Sequence, residues 1–145
     1  MIDDESTTLD LDDPRLAGVF FVTEDDLATL EAAALDAELL VRRIDLQGCE
    51  DKPALLARMA DALALPPAQG RNWDALADQL RDLSWLPAPG YTLLFSNTHA
   101  LRDADETAFD TLLDILDATT VDWQERNIAF WAFLALPDTD FPPLD

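Results

Sequence analysis

The chain holds one cysteine, one histidine and four glycines in 145 residues. A lone Cys49 excludes an internal disulfide framework and a thiolate zinc site, which need several thiols. Four scattered glycines build no glycine-rich phosphate loop. No apolar run approaches the roughly 20 residues of a membrane helix. The N-terminus lacks the basic and apolar blocks of a secretory leader, so a cytoplasmic location is expected. Positive charge is scarce too: nine Lys and Arg stand against 30 Asp and Glu, a formal net charge of −21. Such a field repels phosphate backbones and anionic lipid, which argues against direct binding of nucleic acid or membrane. It favours cationic partners and speeds their encounter. It also serves solubility alone, and the composition leaves both readings open.

What is present is material for a core. Apolar residues make up 49% of the chain, and a domain of this size buries roughly 68–70% of its unfolded surface. One domain is expected over residues 15–136. Residues 1–14, with six acids and no base, read as a flexible acidic tail, and residues 137–145 as a proline-rich one.

Within the domain, residues 16–22 read as a buried strand. Thr23 and Asp26 form a capping pair that opens a helix lined by Leu27, Leu30, Ala34 and Ala37. Residues 39–46 are a second strand, interrupted by Arg42 and Arg43. Asp51 caps a helix that tolerates Pro53 in its first turn and buries Leu56, Met59, Ala60 and Leu63. Residues 91–95 are a third strand, 96–103 a loop, and 105–118 a helix burying Phe109, Leu112, Leu113 and Leu116. Residues 128–134, apolar at nearly every position, suit a strand covered on both faces. This alternation predicts an α/β fold on a mostly parallel sheet with right-handed crossovers.

The most informative stretch is residues 63–83. Pro66 and Pro67 stop a helix, Gly70 permits a reversal, and Asn72 is placed to cap the next helix. There Trp73, Leu76, Ala77, Leu80 and Leu83 share one face. Asp74, Asp78 and Asp82 line the other, flanked by Arg71 and Arg81. Such a row is either a solvated face or a ridge shaped for a basic partner. A second row, Glu106, Asp110, Asp114 and Asp117, runs along the helix at 105–118.

Catalysis is not expected. His99 is alone in a loop, and Cys49 is far from it in sequence. Asp74 and Asp78 lie on a face too exposed to raise a pKa, and residues 103–106 lack the pattern of a calcium loop. No cofactor or metal is expected.

The run Gly70-Arg71-Asn72-Trp73-Asp74-Ala75-Leu76, preceded by a Leu-Pro loop, resembles the barstar family of ribonuclease inhibitors. The resemblance implies a barstar-like three-layer domain with three core strands within residues 39–136. Residues 15–38 fall outside it and are read as an N-terminal strand and helix added to the same sheet, since so short a segment cannot close a core of its own. The resemblance also implies an intracellular inhibitor, monomeric when free, that blocks a basic ribonuclease with an acidic loop and helix. Asp78 would enter the phosphate pocket and Asp74 would flank it. Gly70 and Asn72 would hold the loop and helix start. Gln69, Arg71 and Asp82 would border the contact, with Asp117 or Asp114 supplying a further acid. The chain departs from the family where aromatics are usual, at Ala68, Gln69 and Ala77. The alternative is therefore an acidic binding module for a different basic partner, such as a toxin-like nuclease.

Overall fold

The computed structural model describes residues 11–65 and 72–137. A four-stranded sheet is built from β1 (Val19–Val22), β2 (Leu40–Asp45), β3 (Gly90–Ser96) and β4 (Ala129–Ala135). Five helices connect and cover it: α1 (Glu24–Asp36), α2 (Lys52–Leu63), α3 (Trp73–Asp82), α4 (Thr98–Ala104) and α5 (Glu106–Glu125). The strand order is β1-β4-β3-β2 and every pairing is parallel. A parallel sheet needs helical crossovers, and these cover its two faces. On one side α1 seals a cluster of Leu27, Leu30, Ala34, Leu94, Trp131 and Phe133. On the other, α2, α3 and α5 enclose Leu55, Met59, Leu76, Leu80, Leu112, Leu116 and Phe130. The result is three layers, with β1 extending the sheet beside β4.

Local chemistry sets most boundaries. Thr23 and Asp26 make the expected capping box at α1. Asp51 Oδ1 accepts from the Ala54 amide at 3.0 Å and opens α2, with Pro53 in the first turn. α2 and α3 end on Ala64 and Leu83 in the left-handed region, at φ 52° and 47°. Both carbonyl-satisfying turns are made without glycine, against the usual preference. Gly90 is required by close approach: a Cβ there would stand 2.6 Å from Leu39 Cδ2 and 3.1 Å from the Ala129 carbonyl oxygen.

The structure corrects the sequence reading at four points. The stretch at 96–103 is largely helical, forming α4, and it starts from Asn97 in the left-handed region at φ 56°. α5 runs to Glu125, a further two turns, because Trp123 is buried and donates from Nε1 to the Leu80 carbonyl at 2.8 Å. β1 is no buried strand: as the edge of the sheet it leaves Phe20 and Phe21 exposed. Finally, packing starts earlier than residue 15. Leu11 is buried, and its carbonyl accepts from Trp131 Nε1 at 2.7 Å. Residues 1–10 and 138–145, the bulk of both expected tails, lie outside the described residues.

Candidate binding face on helices α3 and α5

α3 begins where sequence places it. Asn72 has extended backbone, and its Oδ1 accepts from the Ala75 amide at 2.7 Å. One face of the helix buries Ala75, Leu76, Gln79 and Leu80. Trp73 packs against the same core, with Lys52 Nζ 5.5 Å from its ring centroid, so it belongs to the support of the helix. Trp85, just after α3, donates from Nε1 to the Leu63 carbonyl at 2.9 Å and ties the two helix ends together. Of the loop residues singled out by sequence, Gln69, Gly70 and Arg71 lie outside the described residues, as does Ala68.

Asp74, Asp78 and Asp82 are assigned by sequence to the outer face of α3, and Asp78 is open to solvent there. Asp78 is engaged within the chain: Arg81 Nη2 lies 2.6 Å from its Oδ1. The two side chains are 73% and 47% exposed, respectively. Ion pairs that open to water are worth about 0.2–1 kcal/mol, so this one holds Asp78 loosely. Arg81 also donates from Nε to the Ala77 carbonyl, and the Arg81 carbonyl accepts from Arg126 Nη2 at 2.6 Å. Arg126 stacks over Trp123 at 3.7 Å. Arg81 is thereby positioned at the seam between α3 and α5. Asp74 and Asp82 have no ion pair among the described residues.

α3 and α5 meet along a groove of about 210 Å³ lined by Ala77, Arg81, Thr111, Asp114, Ile115, Ala118 and Thr119. It exists because Ala77 and Ala118 line it with single methyl groups. Of the two acids proposed from α5, Asp114 lines the groove, and Asp117 stands exposed on the same helix. The joint contribution of α3 and α5 follows from their crossing, which no local pattern in either helix reveals. Across this face, the described acids outnumber the cations Arg81 and Arg126.

The other candidates for chemistry do not converge. Cys49 is buried in the core, where desolvation pushes its thiol upward from the ordinary value and suppresses the thiolate. His99 lies on α4 with a buried Nδ1 that has no partner among the described residues. Among the described residues no group of three or more His, Cys, Asp or Glu is placed to hold a metal ion. No described helix is long and apolar enough to cross a membrane.

The fold and the face together define a class: a parallel α/β domain with an acidic helical surface. The comparison with protein families narrows it. The family model Barstar (barnase inhibitor) matches residues 39–135, about two thirds of the chain, and the chain belongs to that family. The family is one of inhibitors, in general of barnase-type ribonucleases, and not of enzymes. None of the curated proteins matches the chain. The match starts at the edge of β2, so β1 and α1 fall outside it.

Proposed function

We propose that this chain inhibits a basic ribonuclease by presenting the acidic face of α3, with Asp114 and Asp117 of α5 beside it, as a decoy for RNA phosphate. The family supplies the class of target. The observation that carries the reading is Asp78, 73% exposed on a helix fixed at its start by the Asn72 cap, with Asp74 and Asp82 one turn to either side. A ribonuclease site holds phosphate with cationic side chains, and carboxylates set at fixed spacing occupy the same positions. Asp78 exchanges its pairing with Arg81 for one with the partner, an exchange that costs little because the pair is exposed. Excess negative charge steers the encounter and makes it sensitive to salt.

A second reading has its own observation. Where the family commonly carries an aromatic, Ala77 leaves the α3–α5 groove open. Aromatic anchors dominate many interfaces, so a partner that fills this groove differs in shape from barnase while remaining basic. Titrating the full chain into RNA-cleavage assays of barnase and other small basic ribonucleases at low ionic strength tests both. Loss of cleavage at one equivalent supports the first reading. Full activity throughout the panel, with binding to another basic protein retained, supports the second.

A further inference from the structure

The two edges of the sheet are treated differently. The β2 edge carries Arg42 and Arg43; Arg43 pairs with Glu31 of α1 at 2.9 Å, and Arg42 folds back to the Val41 carbonyl at 3.0 Å. Charge on an edge strand is a standard guard against a foreign strand. The β1 edge has no such guard among the described residues. Its sequence is Val-Phe-Phe-Val, with no charge and no proline.

Among the described residues no strand covers that edge, and its geometry suits pairing. The carbonyls of Gly18 and Val22 accept from Ala132 and Leu136 of the β4 side. In a parallel pair alternate residues bond the same neighbour, so Val19 and Phe21 turn their amides and carbonyls away from β4, to the side that no described strand occupies. Phe20 and Phe21 are 43% and 44% exposed. Phe20 stacks on Phe133 and packs at a tilt against Trp131, while Phe21 meets Phe109 on the opposite face. Beside the strand runs an apolar groove of about 400 Å³, floored by Phe20, Leu30, Trp131 and Phe133. Asp26 is the charged residue that lines it.

We propose that β1 is a second docking edge, which takes an extended segment of a partner protein as a fifth strand, with apolar side chains in the groove and Lys or Arg toward Asp26. Charge decides the occupant. A second copy of this chain would bring together two bodies of −21 each, and the acids that follow β1, Glu24, Asp25 and Asp26, would crowd at the joint. A cationic strand gains from the same field. Main-chain bonds supply affinity in this mode and alternate side chains supply selectivity. The edge lies outside the stretch shared with the family, so this surface is additional to the α3–α5 face and does not depend on it.

The test uses the full chain with two labelled octapeptides, alternating Lys-Val and alternating Glu-Val, read by fluorescence anisotropy. Binding of the Lys-Val peptide, not of the Glu-Val peptide, is expected, with new hydrogen-exchange protection at the Val19 and Phe21 amides. Val19→Pro removes an edge donor at the first residue of the strand, where proline is tolerated. Phe20→Lys places charge in the groove. Each is expected to weaken binding about tenfold or more, equivalent to roughly 1.4 kcal/mol, with the melting temperature checked for each. Equal binding of both peptides, or of wild type and both folded variants, overturns the proposal. So does a stable dimer in sedimentation velocity. Full protection of both amides in the dilute monomer without peptide also overturns it, since the chain's own terminus then fills the edge.

Discussion

Replacing Asp78 by alanine separates binding from stability, because the structure gives the side chain little to do in the free protein. The pair with Arg81 is exposed at both ends, and its loss costs about 0.2–1 kcal/mol. Against this, Asp74 and Asp82 stand four residues to either side, and relieving each like-charge contact returns about 0.2–0.5 kcal/mol. Alanine is also the better helix former, by up to about 0.7 kcal/mol. These contributions offset one another, so the melting temperature should stay level or rise slightly. In a complex the same carboxylate would be buried against cations. Removing one member of a buried hydrogen-bonded charge pair costs about 2–5 kcal/mol, a general range for which the barnase–barstar complex of this very family is a standard example. At about 1.4 kcal/mol per decade, that is roughly a 30- to 4,000-fold rise in Kd. Barnase inhibition by wild type and Asp78→Ala, measured beside thermal unfolding of each, reads both quantities. An unchanged inhibition constant would refute the role given to Asp78. A large fall in melting temperature would refute the assignment of this α3 face to binding without structural duty.

Other consequences follow from the same geometry. Arg81→Gln frees Asp78 and removes a cation from the face, so inhibition should tighten by up to about fivefold, the worth of an exposed pair; weaker inhibition would show Arg81 to be a contact. Leu80→Ala empties a fully buried site beneath α3 and should cost about 2–5 kcal/mol in chemical unfolding. Gly90→Ala forces a methyl group against Leu39 and the Ala129 carbonyl, and a loss of about 1–3 kcal/mol is expected in the same assay. Hydrogen bonds from Asn97 Nδ2 and the Gln47 amide hold the Asp45 carboxyl below the usual carboxylate range. A depressed folded pKa stabilises above the unfolded value, near 3.9, and the contribution fades as pH falls through the folded one. Acid unfolding of Asp45→Asn should therefore lose part of its pH dependence below about pH 4. The Cys49 thiol, buried and shifted up, should react with a disulfide reagent at neutral pH only after denaturant is added.

The features that sequence revealed are those set within a few residues. Asn72 and Asp51 cap their helices because each needs only its own oxygen and an amide three residues on. The capping box at Thr23 and the acid row on α3 are equally local. The misread features depend on neighbours far along the chain. Val-Phe-Phe-Val is as apolar as a central strand, and only the order of strands makes it an edge. Asn97 must enter the left-handed region to start a helix of seven residues, too short to show a periodic face. The β-branched run Thr119, Thr120 and Val121 weakens the case for helix beyond Ala118, yet the bond from Trp123 to Leu80 carries α5 through it. The α3–α5 groove belongs to this second kind. Ala77 and Ala118 are ordinary helix residues singly and open a space only where the two helices cross.

The decoy idea is most directly tested by competition for the ribonuclease site. A nucleoside monophosphate bound to barnase, followed by its own fluorescence or phosphorus resonance, should be released in step with added chain, one molecule for one. A ternary complex, with the nucleotide retained while the chain is bound, would contradict it.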